Sequence, residues 1–156
     1  MMKGKLFTGL VALAFLMTPS GTVLASGNDP GASSSQTKDT DTDKAKMALE
    51  TLRTAYSQGN QELFFRNVDE IPALDYHLLK TNVSQSSIDH SQIELVIFTD
   101  HILSEKGKVA IKTHWQKRFV NNSTGTLEKS EGQAEFLFKI TKNAAYLLDI
   151  RGDNPF

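Results

Sequence analysis

The period of the apolar residues changes at Gln92, and that change limits the fold more than any other feature of the chain. Beyond it, β-branched and aromatic side chains alternate with polar ones, as in strands buried on one face. Four strands can be laid out, over about Ser91 to Leu103, Lys108 to Asn121, Leu127 to Thr141 and Ala145 to Gly152. The alternation also sets faces. Val109, Ile111, Thr113 and Trp115 must share the buried side with Ala134, Phe136 and Phe138, so an odd position must sit opposite an even one. A turn centred between Ser123 and Thr124 satisfies this, pairing Ile111 with Phe136 and Lys112 with Glu135; one centred a residue later, at Thr124-Gly125, keeps the same parity. The outer stripe Lys108, Lys112, His114 and Arg118 is basic, and reads as a solvated face with cross-strand contacts to Glu135 and Glu131. The first hairpin turns at Ser104-Glu105-Lys106-Gly107, where Gly107 suits a left-handed position and a bulge. Its register stays open: one alternative puts Thr99 and His101 on the helix-facing side, the other Phe98 and Asp100.

Ahead of Gln92 the period is helical. Ala45, Ala48, Leu49, Leu52, Ala55 and Tyr56 recur at three- and four-residue steps, with Thr42 or Asp43 as a cap and Gly59-Asn60 as the stop. Gln61 to Asn67 supplies a short second helix carrying Leu63, Phe64 and Phe65. After Pro72, the residues Leu74, Leu78, Leu79, Val83 and Ile88 carry a weaker pattern for a third. Helices followed by sequential strands make an α+β domain over residues 43–156, its N-terminal helices packed on one face of a curved antiparallel sheet of about four strands.

Residues 1–25 read as a cleavable signal peptide. Lys3 and Lys5 precede the apolar run from Leu10 to Met17, which is too short to span a bilayer, and Val23-Leu24-Ala25 offers a cleavage site after Ala25. Residues 26–42, SGNDPGASSSQTKDTDT, hold no large apolar side chain and read as a flexible linker. The chain contains no cysteine, which removes disulfides, cysteine nucleophiles and a lipidated cysteine together. The expected product is therefore periplasmic or secreted, with no stable membrane anchor, and held together by packing alone. Its 17 basic and 18 acidic side chains argue against a nucleic-acid partner, and loss of Lys3 and Lys5 with the leader tilts the balance further toward acid.

The opening helix Ala45 to Ser57 with Tyr56 near its end, the Gly59-Asn60 that follows, the long hairpin strands and the closing strand Ala145-Tyr146-Leu147-Leu148-Asp149-Ile150-Arg151-Gly152 together resemble the nuclear transport factor 2-like superfamily, a cystatin-like α+β group. The resemblance runs from Asp43 to Phe156 and implies a cone-shaped domain. Gly152-Asp153-Asn154-Pro155-Phe156 is its sharpest local feature and implies a packed C-terminal cap. In that superfamily the cavity serves as an enzyme site in some members, such as ketosteroid isomerase, and as a binding or dimerisation surface in others. The fold alone does not choose between these uses.

The four histidines, His77, His90, His101 and His114, are too widely spaced for a metal site on one helix or hairpin, so no metal or cofactor is expected. No serine sits in a glycine-flanked elbow, and no glycine-rich loop leads from a strand into a helix. Arg151-Gly152-Asp153 closes a strand and reads as a chance tripeptide. Proton transfer in a cavity would need a carboxylate or imidazole in apolar surroundings, and Asp100 and His101 are the speculative catalytic candidates. Tyr56, Tyr76, Thr113 and Trp115 are the candidates to line a ligand pocket. With no convincing acid/base pair, the leading expectation is a non-enzymatic exported binding or interaction domain, taking a small apolar ligand or a protein partner. A small isomerase or dehydratase using Asp100 or His101 is the alternative, and a homodimeric structural or assembly factor the second.

Overall fold

The computed structural model describes residues 32–70 and 75–156. The expected signal peptide and the first part of the linker lie outside the described residues. Three helices, α1 (Ala32–Ser57), α2 (Gln61–Phe65) and α3 (Tyr76–Asp89), precede four strands, β1 (His90–Glu105), β2 (Lys108–Asn121), β3 (Leu127–Ile140) and β4 (Ala145–Gly152). The strands form one antiparallel sheet in sequential order β1-β2-β3-β4.

The parity argument holds residue by residue. Ile111 pairs with Phe136 and Lys112 with Glu135, the register of a turn centred between Ser123 and Thr124. Along β2 the side chains of Val109, Ile111, Thr113, Trp115 and Phe119 are buried while Lys108, Lys112, His114, Gln116 and Arg118 are exposed. The buried column meets Leu52 and Ala55 of α1, Phe64 of α2, Leu79 and Val83 of α3, and Phe136, Phe138 and Leu147 of the neighbouring strands. Each large side chain fully withdrawn from water contributes roughly 1.5–3 kcal/mol, and this single core holds the helices on one face.

The first hairpin resolves its register in a way the alternation did not anticipate. Thr99 pairs with Thr113 but His101 pairs with Lys112, leaving Asp100 as the extra residue of a bulge. The bulge reverses parity, so Leu95, Ile97 and Thr99 face the helices before it and Ile102 and Ser104 after it. Neither expected register therefore runs the whole strand: Thr99 is on the helix side, whereas Phe98 and His101 are on the outer side. The turn itself is as tight as two residues allow, with Lys106 at φ 49° and Gly107 at φ 73° between the paired Glu105 and Lys108. Both central residues in the left-handed region match the twist of the flanking strands.

The helices depart from expectation at their ends. α1 begins at Ala32, not at Asp43, so residues 32–42 of the expected linker are helical. Lys44 Nζ lies 3.5 Å from Asp41 one turn earlier, and also donates to the Thr141 carbonyl at 3.2 Å across the domain. Asn60 caps α2 by accepting from the Leu63 amide at 3.0 Å, and Asp75 does the same for α3 through the Leu78 amide at 3.0 Å. α3 buries only Leu79, Val83 and Ser86, leaving Leu78 and Ile88 exposed, which is why its apolar pattern is weak.

Both sheet edges are partly managed. On β4, Leu147 accepts from Asp69 and donates to Asn67, each at 2.8 Å, so the segment after α2 continues the sheet by one bridge. On β1, the Arg53 guanidinium donates to the Leu95 carbonyl at 3.0 Å, and the left-handed Gln92 and the Asp100 bulge interrupt a straight edge.

Candidate functional site

Lys117 breaks the buried column of β2. It occupies an inward position between Trp115 and Phe119, and its ammonium sits among aromatic rings, 5.5 Å from the centroid of Tyr56 and 5.6 Å from that of Phe119. The nitrogen donates to the Tyr56 hydroxyl at 3.2 Å and to the Pro155 carbonyl at 2.9 Å. Tyr56 continues the chain to Ser86 at 2.6 Å, and Ser86 to His90 Nδ1 at 3.1 Å. Four elements thus place one polar chain, Lys117, Tyr56, Ser86 and His90, inside an apolar face. Burial first, and the Lys117 charge second, hold the His90 imidazole below its ordinary range, while Asp89 and Glu128 oppose this. The His90 ring also packs on Phe119 with centroids 4.0 Å apart.

The residues after β4 close over this chain. Gly152, at φ 87°, turns the backbone where any side chain would collide with the Gln133 carbonyl. Asp153 then exchanges bonds with Gln133, its amide donating to the carbonyl at 2.7 Å and its carboxylate accepting from the amide at 3.1 Å. Trp115 Nε1 donates to the Asp153 carbonyl at 2.8 Å. A Cβ at Gly132 would stand 2.7 Å from that of Asp153, so the strap crosses β3 only because this position is glycine. Phe156 ends in the core, its ring 5.3 Å from Tyr56, 4.9 Å from Phe64 and 5.9 Å from Phe136. This is the packed cap implied by the closing residues.

The pocket candidates do not line one cavity. Tyr56 and Trp115 are buried beneath the strap; Thr113 is buried and donates to the Ala134 carbonyl at 3.1 Å. Tyr76 is half-buried at the start of α3, edge-on to Phe65 at 5.6 Å. Asp100 and His101 line an open concavity together with Thr113, Lys112, Glu135 and Arg151. Asp100 and His101 are both exposed, so neither has the apolar enclosure that tuned proton transfer requires. Alternation left two registers open for this strand, and the bulge at Asp100, invisible to a period-two reading, puts Thr99 on the helix side and His101 on the outer side. Lys117, Ser86 and His90 were missed, although Lys117 has the same parity as Trp115, and that was the available signal.

The outer face of the sheet is the second feature. His114 Nδ1 and Asp100 Oδ1 are 2.7 Å apart, and the Phe98 ring stacks on the imidazole, centroids 4.7 Å apart and planes 11° from parallel. Lys112 meets Glu135 at 3.8 Å, Arg118 meets Glu94 at 3.7 Å, and Arg151 bridges Asp149 and Glu135. Three residues of the basic stripe, Lys112, His114 and Arg118, therefore meet acidic partners on a solvated face, with Glu94 in place of the expected Glu131, and Arg151-Gly152-Asp153 is held in place at both ends. Among the described residues no group of three or more histidine, aspartate or glutamate side chains is placed to hold a metal ion.

Three helices gathered on one face of a curled, unclosed four-stranded sheet, with a core sealed by the residues after the last strand, define the nuclear transport factor 2-like fold. Particular solved structures share it. A nuclear transport factor 2-like superfamily protein from Salmonella enterica serovar Typhimurium superposes with a TM-score of 0.67 at 10% identity, covering 76% of this chain and 93% of that one. A candidate dehydratase of the same fold from Streptomyces avermitilis gives 0.62 at 13% identity, over 74% and 96% of the two chains. The association domain of the Caenorhabditis elegans calcium/calmodulin-dependent protein kinase II gives 0.56 at 10%, over 76% and 99%. The sequence matches no family profile and no curated protein. The shared property is the fold, which carries both binding modules and small-cavity enzymes.

Proposed function

We propose that this chain is an exported interaction domain that pairs with a second copy of itself through the outer face of its sheet. The observation that carries the reading is Phe98, 43% exposed in an uncovered sheet face, with Val96 at 47% and Leu103 at 52% on the same strand and side. Large apolar side chains grouped on one face mark a surface for protein contact. The charges around them have both signs, Lys112 and Arg118 beside Glu94, Asp100 and Glu135, so a two-fold pair offers each sign to the other. That an association domain is among the proteins of this fold supports the same use. The small-cavity enzyme alternative loses support here, because Asp100 and His101 stand in the open.

Light scattering on the eluting mature protein tests the pairing. A dimer mass is expected at tens of micromolar, and Phe98→Asp is expected to give a monomer with an unchanged circular dichroism spectrum. A monomeric parent protein would overturn the reading. Export is part of the proposal and rests on Met1 to Ala25; intact mass from fractionated cells should find a protein beginning at Ser26 in the periplasm or medium. An uncleaved chain confined to the cytoplasm would refute it.

A further inference from the structure

The polar chain joins a titrating group to the strap. Its hydrogen bonds run in one direction: the Lys117 ammonium donates to Tyr56 Oη, which leaves the Tyr56 hydrogen for Ser86 Oγ and the Ser86 hydrogen for His90 Nδ1. That order requires an unprotonated Nδ1, and so a neutral imidazole. At the other end the same ammonium donates to the Pro155 carbonyl at 2.9 Å, and this holds the strap where the Phe156 ring packs among Tyr56, Phe64 and Phe136.

The charges around His90 decide what protonation does. Lys117 faces it from β2, Asp89 from α3 and Glu128 from β3, while Tyr56 of α1 reaches it through Ser86. Burial and the Lys117 charge oppose a second positive charge more than the two carboxylates favour it, which keeps the imidazole below its ordinary range. Lys117 has no acid of its own: among the described residues none lies within ion-pair distance of it. Phe119 lies against both groups, its ring centroid 4.0 Å from that of His90 and 5.6 Å from the Lys117 ammonium. A proton on His90 therefore sets two positive charges against one ring, and removes the acceptor to which Ser86 donates. Lys117 is only half-buried, so its ammonium has a path to water.

We propose that His90, Ser86, Tyr56 and Lys117 form an acid-operated latch: a proton on His90 turns Lys117 outward, off the Pro155 carbonyl, and releases Pro155 and Phe156 from the core. The proton prefers the open form, in which the imidazole no longer shares its surroundings with the ammonium, and a ligand shifts an equilibrium toward the state it binds better. The strap is closed above the ordinary histidine value of 6.5 and opens as the pH falls through the lower value that His90 has in the closed form. One proton changes that equilibrium by at most about tenfold per pH unit. The latch is local, since the exchange between Asp153 and Gln133 lies outside the chain of bonds from His90 and keeps the base of the strap on β3. It acts on the inner face of the sheet and is separate from the pairing proposed above.

Heteronuclear NMR of the mature chain, titrated from about pH 7.5 to about pH 5, tests the latch across the histidine range. The Phe156 amide and ring signals are expected to move toward those of a mobile chain with the same midpoint as the His90 ring protons, below 6.5, while Leu52 and Ile111 stay as they were. Phe156 signals that ignore the His90 titration overturn the proposal. So does loss of the Leu52 and Ile111 signals at the same pH, which would be unfolding of the whole core. Two variants then decide whether the charge is the cause. His90→Gln keeps a polar partner for Ser86 and cannot titrate, so its strap should stay closed in acid. Lys117→Gln keeps two amide donors without the charge; its His90 midpoint should rise toward 6.5 and Phe156 should remain in the core. Should His90→Gln fail to fold, Lys117→Gln decides alone. A Phe156 transition at the parent midpoint in either variant overturns the proposal.

Discussion

At the scale of single residues, His90 shows how a fold spends solvation to order a polar chain. Its imidazole accepts or donates through Ser86 and packs on Phe119, and both burial and Lys117 disfavour its charged form. The folded state therefore takes up a proton at lower pH than the unfolded chain, whose ordinary value is 6.5. Stability from this group is complete above that value and is lost as the pH falls through the lower folded one. Urea midpoints measured from pH 7.5 downward should decline below 6.5, and His90→Gln should flatten that slope; an equally steep decline in the variant would refute the assignment. Little of this was legible in the sequence. Lys117 could be put on the helix-facing side by parity with Trp115, but its partners come from α1, α3 and the strap, which no local pattern brings together. Which of Asp100 and His101 faces the helices was not legible either, since alternation leaves the register of the first hairpin open and the single extra residue Asp100 reverses parity along the strand.

At the scale of elements, the register was legible wherever buried and exposed positions alternate strictly. β2 and β3 pair as parity requires because any one-residue slip would bury Lys112 and Glu135 and expose Ile111 and Phe136. β1 offered no such certainty, since its apolar residues fall on both faces, Ile97 inward and Phe98 outward. The length of α1 was hidden because residues 32–42 include no large apolar side chain and so carry no helical apolar period. The turn of the first hairpin makes a prediction of its own. Lys106 holds φ 49° in a position that favours asparagine, and its pair with Glu105 is almost fully solvated, so little is lost by replacing it. Lys106→Asn should stabilise the domain by about 0.5–1 kcal/mol, read as a higher urea midpoint with an unchanged slope. A lower midpoint would refute a turn that holds Lys106 in the left-handed region.

At the scale of the whole molecule, the sheet separates two roles by face. The inner side is committed to the core, the polar chain and the strap; the outer side carries Phe98, His114 and a mesh of ion pairs with no element of the described chain upon it. Trp115, a candidate to line a ligand pocket, lies on the inner side, where its indole holds the strap at Asp153. Trp115→Phe keeps one aromatic ring, removes that bond and leaves an exposed carbonyl that water can satisfy; with the buried surface also lost, the cost should be about 1–3 kcal/mol. The two substitutions should then dissociate. Trp115→Phe should lower the unfolding midpoint and speed amide exchange at Asp153 and Phe156 while the mass in light scattering stays unchanged. Phe98→Asp should do the reverse, altering mass but leaving exchange in the strap as it was. If Trp115→Phe instead changed the mass, the two faces would be coupled through the sheet, and the inner site and the pairing surface could no longer be assigned independently.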